Sequence, residues 1–258
     1  MKKDYNHFEM IEERLNSINS IEELFELWEM AHETEDEESC YNTICDGEIG
    51  KHGKKLYIPK NSFIADGYIS EHGNKEFNGI LFVLKEANVL KWGISTSSEH
   101  GYVENNLNPQ YDFYRKYISD GINLNQSKQQ EKMGRMAYYL TYKKMPKEDD
   151  KFKQALLNSA FINLNKRGGA NQSKKIENYV DKYQNFIRKQ INIIKPKIII
   201  CLGTYSYLNR INITEDYKCY NIWHTAYQMS RKERNRKYKL KDANVDLYME
   251  EFIKRVNL

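Results

Sequence analysis

The chain has 258 residues, enough to bury a full core in one large domain or in one domain with a small appendage. No stretch approaches the roughly 18 apolar residues of a membrane helix, the N-terminal MKKDYNHFEM has no apolar run behind its lysines to act as a secretory signal, and Cys40, Cys45, Cys201 and Cys219 do not read as a disulfide framework, so a cytoplasmic protein with reduced thiols is expected. The formal charge of +4 hides an asymmetry, because residues 1–40 carry 3 Lys/Arg against 13 Asp/Glu and the remainder 37 against 23; a basic body of that kind favours a polyanionic partner, although lysine-rich surfaces are also simply solvated.

Residues 8–33 place apolar side chains at Phe8, Ile11, Leu15 and Ile18, then at Ile21, Leu24, Phe25, Leu27 and Trp28. That spacing predicts two amphipathic helices broken near Asn19-Ser20. Their other face is acidic; solvation is the first reading of it and a surface for a protein partner the second. Residues 1–45 are read as an acidic helical appendage and residues 46–258 as one α/β domain. Cys40 and Cys45 lack a second pair at metal-ligand spacing, so neither a metal nor any other cofactor is expected. Residues 47–73 are glycine-rich, with LYIP and SFIADGYI suggesting a small hairpin and Asp66-Gly67 a turn.

Residues 80–84, ILFVL, form a short continuous apolar run that predicts a first core strand buried on both faces. Lys85, Glu86 and Asn88 then fall just past its end. A long excursion follows to residue 157, with the loop WGISTSSEHGYVENNLNP, helices near 110–120 and 128–143, and aromatics (Trp92, Tyr102, Tyr111, Phe113, Tyr114) suited to core packing or to stacking on a base. AFINLN, 160–165, is the second strand, ending at Asn165, Lys166, Arg167 and two glycines. Residues 174–195 carry helical periodicity closed by Pro196. KIIICLG, 197–203, is the third strand, with Thr204 placed to cap a helix. CYNIWH, 219–224, is the fourth, ending in His224 and Thr225. A basic segment, 231–241, and a helix over 245–256 complete the chain.

Strands alternating with helices imply a three-layer α/β/α sandwich around a central four-stranded, mainly parallel sheet. Its strand ends would gather Lys85, Glu86 and Asn88 with Asn163 or Asn165, Lys166, Gly203, Thr204 and His224 on one edge. Ligands of open α/β sheets bind outside the carboxyl ends of the strands. A carboxylate positions water, an asparagine amide offers a donor and an acceptor to a heterocycle, and a histidine donates to a departing anion.

The order of KEAN, FINLNK, PKIIICLG and WHTAYQMS resembles the uracil-DNA glycosylase superfamily over residues 60–230, by order and position more than by identity. The resemblance implies a uracil-DNA glycosylase-like fold and a monofunctional DNA glycosylase that removes a uracil, damaged or modified base, including hypermodified phage bases in antiviral defence. VLKEAN resembles the glutamate-alanine form of the first motif and makes Glu86 the water-activating acid. WHTAYQMS resembles the second, with His224 matched, Thr225 and Ala226 in place of the usual proline and serine, and a DNA-entering wedge among Tyr227, Gln228 and Met229. The tyrosine that excludes thymine in many uracil enzymes has no counterpart in EANVLKW, which implies a roomier pocket. Base recognition is assigned to Asn88 and to one of Asn163 and Asn165, with Asn165 preferred as nearer the tip. DNA contacts are assigned to Lys85, Lys166, Thr204, Thr225, Tyr227, Gln228, Arg231 and Lys232. Each residue has a plainer role open to it, such as Glu86 pairing with Lys85 or Lys166. The competing readings are a non-catalytic nucleic-acid-binding module on the same fold, a Schiff-base variant using Lys85 or Lys166, and a hydrolase of free nucleosides.

Overall fold

The structure, a computed structural model, describes residues 3–35, 63–69, 75–88, 128–169, 176–225 and 243–257. It is a mixed α/β fold whose sheet has five strands in the order β1-β3-β2-β4-β5. These are β1 (Gly67–Tyr68), β2 (Ile80–Asn88), β3 (Ala160–Gly169), β4 (Ile198–Leu202) and β5 (Cys219–Ile222). β2 and β4 run parallel with Val83 opposite Cys201, and β4 and β5 run parallel with Leu202 opposite Ile222. The strand beyond the expected four is β1. Its flanks run antiparallel to β3, with Ile64 N–H donating to Lys166 O (2.7 Å) and Ile69 N–H to Ser159 O (3.0 Å).

Asn78 starts β2: its Oδ1 accepts from Ile80 N–H (3.0 Å) and its Nδ2 donates to Ala155 O (2.9 Å). Leu81, Phe82 and Val83 are all fully buried. Successive side chains point to opposite faces of a strand, so this run is covered on both sides. Two strands outlast their apolar runs. β2 continues through Lys85 and Glu86 to Asn88, and β3 through Lys166 and Arg167 to Gly169, so these residues lie within strands rather than past them. Hydropathy marks where a strand is buried by apolar neighbours; the backbone ladder does not need it.

The chain divides into two compact units, one from the described parts of Met1–Gly67, Lys85–Phe113 and Asn163–Lys195, the other from those of Tyr68–Leu84, Tyr114–Ile162 and Pro196–Leu258. The boundary expected at residue 45 lies outside the described residues. The first unit contains α1 (Lys3–Arg14), a 3-10 turn (Leu15–Ser17), α2 (Ile21–Glu33), α5 (Ile176–Lys182) and α6 (Gln184–Ile194). The break expected near Asn19-Ser20 is present, and the Ser20 side chain caps α2 by accepting from Glu23 N–H (3.2 Å). α2 packs on α6, with Trp28 fully buried. The single helix expected over 174–195 is interrupted at Tyr183 into α5 and α6, yet Tyr183 N–H still donates to Tyr179 O (2.9 Å) and Ile187 N–H to Tyr183 O (3.0 Å).

The same unit buries its charges in pairs. Asp66 accepts from Lys166 Nζ, Gln190 Nε2 and Asn163 N–H, each at 2.7 Å, and Lys166 is 0% exposed. Glu35, just past the end of α2, meets Arg167 Nη2 at 3.0 Å, Lys182 Nζ at 3.3 Å and the Tyr183 hydroxyl. Burial alone would raise the pKa of the Glu35 carboxyl; Arg167, Tyr183 and Lys182 outweigh it and hold the group below the usual carboxylate range.

The second unit contains α3 (Lys128–Tyr142), α4 (Asp149–Leu157), α7 (Tyr205–Arg210), α8 (Ile213–Asp216) and α9 (Ala243–Val256). α3 and α4 approach so closely at Gly134 that a Cβ there would lie 2.7 Å from Phe152 O. The sequence supplies no clear sign of α4, only nine residues long. The helix expected near 110–120, the loop and aromatics between 92 and 114, Cys40 and Cys45, the strands proposed within 47–62 and the basic segment 231–241 lie outside the described residues.

Replacing Asp66 by Asn would leave the buried Lys166 ammonium without its counter-charge. Asp66→Asn is expected to cost about 3 to 5 kcal/mol in urea unfolding, and the apolar pair Asp66→Leu/Lys166→Met to recover most of it; near-wild-type stability of Asp66→Asn would remove the pair from the account. Because the folded pKa of Glu35 is depressed, its contribution is complete above the unfolded value of about 4.3 and is lost as pH falls through the folded value. The stability gap between wild type and Glu35→Gln at pH 7 is therefore expected to narrow below about pH 4.3, and a gap independent of pH would contradict the assignment.

Candidate active site

β4 and β5 are short, and the segments leaving them carry the polar groups expected at strand ends. After β4, Gly203 adopts φ +73, and its N–H donates to Ile222 O at 2.8 Å. A Cβ on Gly203 would sit 3.4 Å from His224 Cβ and 3.5 Å from its backbone nitrogen, so the exit of β4 lies directly against His224. Thr204 is fully buried, and its hydroxyl donates to Val83 O (2.9 Å) instead of capping α7.

The exit of β5 is held carbonyl by carbonyl. Asn221 O accepts from Arg255 Nη1 (3.0 Å), Ile222 O from Gly203 N–H (2.8 Å), Trp223 O from the Tyr248 hydroxyl (2.5 Å) and Thr225 O from Lys132 Nζ (2.8 Å). Lys132 is 1% exposed, its ammonium 4.5 Å from the centroid of the Tyr248 ring, and the Arg255 guanidinium lies 4.0 Å over the Trp223 ring. His224 itself is half-buried. A half-buried imidazole on a fixed backbone suits a hydrogen-bond donor aimed at a ligand.

The remaining expected residues fare differently. Lys85 and Glu86 are half-buried in β2. Asn88 closes the strand, and its side chain falls outside the described part, as do Tyr227, Gln228, Arg231 and Lys232. Lys166 presents no surface to DNA: its ammonium is buried against Asp66, and for the same reason it is not available as a Schiff-base nucleophile or as a partner for Glu86. Thr204 and Thr225 are also buried and present no surface to a phosphate. Asn163 and Asn165, two residues apart, share one face of β3, so the expectation that only one of them could face a ligand does not hold. Both are buried. Asn165 Oδ1 accepts from Arg167 N–H (3.0 Å), and Asn163 N–H donates to Asp66.

The sequence reading missed Lys132, Tyr248 and Arg255. A signal for Lys132 existed, since it stands four residues before Met136 on the apolar stripe of α3, where a lysine is out of place. Asp66, expected in a turn with Gly67, accepts from Lys166, Gln190 and the Asn163 N–H. Cys201 and Cys219 are free thiols in neighbouring strands; a hydrogen bond with Cys219, together with burial, pushes the Cys201 thiol up, and the same hydrogen bond holds the Cys219 thiol below its ordinary value. Among the described residues no group of three or more His, Cys, Asp or Glu side chains is arranged to hold a metal ion, and no helix is long and apolar enough to cross a membrane. Compared with family models, curated proteins and solved structures, the chain matches none.

Gly203→Ala would force a side chain into the left-handed region and against His224. A loss of about 1 to 2 kcal/mol in urea unfolding is expected, with a smaller loss in Gly203→Asn, since asparagine tolerates this conformation; equal losses would show that crowding, not backbone strain, governs the position.

Proposed function

We propose that the chain is a monofunctional DNA glycosylase on a three-layer, uracil-DNA glycosylase-like α/β/α fold, acting on a uracil, damaged or modified base. The observation that supports this reading is the strand order. From β2 the chain passes to β3 on one side and from β4 to β5 on the other, so the topological switch point falls between the parallel strands β2 and β4. Open α/β sheets bind ligands outside the carboxyl ends of their strands at that point. The segments that follow are those carrying the resemblance: KEAN in the last part of β2, Gly203-Thr204 after β4 and His224 after β5.

On this reading a base is drawn out of the helix, at a cost of a few kcal/mol, and read in a pocket. The bond between the sugar C1′ and the base nitrogen breaks with its electron pair leaving on the base. His224 donates a hydrogen bond to the departing anion, and Glu86 faces the positive charge growing on the sugar. Water adds at C1′ and gives its proton to Glu86, which leaves an abasic site and needs no metal or cofactor. Lys85 and the basic residues Arg231 and Lys232 supply attraction for the phosphates, and a DNA-bound substrate makes activity fall with salt.

The test is base release from DNAs carrying uracil, common lesions or phage-type modified cytosines, followed by alkali. One DNA is expected to show alkali-labile sites with wild type, about a hundredfold or more slower with Glu86→Gln and about a hundredfold to a thousandfold slower with His224→Ala. Salt-sensitive binding with no release from any DNA, unchanged in Glu86→Gln, would make the protein a binding module and overturn the enzymatic reading.

A further inference from the structure

The His224 turn is held from outside the sheet. Its two flanking carbonyls, those of Trp223 and Thr225, are each taken by a side chain from a helix: Tyr248 on α9 at 2.5 Å and Lys132 on α3 at 2.8 Å. The two donors also touch each other, the ammonium standing 4.5 Å from the Tyr248 ring centroid. A backbone clamped immediately before and after one residue leaves that residue little freedom beyond its own side-chain torsions.

The choice of a lysine is informative. Position 132 is 1% exposed, in a helix that also buries Met133, Met136 and Ala137. A methionine would fill that space without desolvating a charge, and burying an ammonium costs several kcal/mol before any compensation. What the lysine adds is a strong, charge-assisted donor long enough to reach the carbonyl after His224. Groups that are expensive for stability and hold a functional side chain in place are a familiar trade between stability and activity.

We propose that Lys132 and Tyr248 are positioning residues for His224, acting through the Thr225 and Trp223 carbonyls to fix the direction in which the imidazole presents its hydrogen bond. This rests on His224 serving as donor to the leaving base. Misplacing a reacting group by about 1 Å can cost about a hundredfold in rate, so the clamp belongs to kcat and not to substrate affinity.

The experiment uses the full chain and the DNA that gives base release. Lys132→Met is expected to lower kcat about a hundredfold with KM unchanged, and Lys132→Arg, which keeps a charged donor, to retain most of it. Tyr248→Phe is expected to act in the same sense, and it carries the test if Lys132→Met does not fold. In a His224→Ala background neither substitution is expected to cost anything further, because both act through the side chain already removed. Additive losses, or a fall in thermal midpoint with kcat per folded molecule unchanged, would overturn the proposal. If wild type releases no base, the glycosylase reading fails on its own, and amide hydrogen exchange at His224 and Thr225 decides the clamp: faster exchange in Lys132→Met but not in Lys132→Arg sustains it, and equal exchange in all three proteins overturns it.

Discussion

Two consecutive cations near the end of β3, Lys166 and Arg167, are almost completely buried, and the first unit is arranged to meet them. Neighbouring positions on a strand face opposite ways, so each cation needs its own carboxylate from a different element. Lys166 takes Asp66, from the chain that runs beside β3, and Arg167 takes Glu35, from just past α2. A slip of one residue would exchange the two faces and leave two charges buried among the wrong partners. The pairs therefore set the register of β3 against residues 63–66 and the place of the N-terminal helices, whether or not they add net stability over an apolar core.

Aromatic rings line this polar interior. Lys166 stands 5.2 Å from the Trp28 ring and Arg167 5.6 Å from that of Tyr179, and His32 Nε2 and the Tyr179 hydroxyl share a hydrogen bond at 2.8 Å. Burial raises the pKa of Tyr179 and Tyr183, which keeps both phenols neutral and able to act as donors. Helices that look like an acidic attachment in the sequence are thus part of a core: Trp28, His32 and Glu35 face inward, while Glu22, Glu23, Glu26 and Glu33 remain exposed.

The second unit solves a different problem. Its β4 is apolar, with Ile199 to Leu202 fully buried, and Thr204, Thr225 and Lys132 are buried where the chain leaves β4 and β5. There the backbone of β5 is fixed by donors from Gly203, α3 and α9. A rigid exit of this kind is what a preorganised donor requires, because a site that must reorganise during reaction loses the benefit of its dipoles.

Runs of apolar residues such as ILFVL and IIICL, and the three- and four-residue spacing in α1, α2 and α6, made the core strands and these helices legible and located His224 close to the end of β5, because burial by apolar contact is written into local periodicity. The same logic set the end of β3 too early and gave Lys166 to a ligand, since an exposed lysine and a lysine paired with Asp66 a hundred residues away look alike in one dimension. Strand order, the break at Tyr183, the inward turn of Glu35 and the helix side chains that hold the His224 turn were decided only in three dimensions. Each depends on which long-range partner satisfies a buried polar group, and that is a property of the assembled chain rather than of any segment in it.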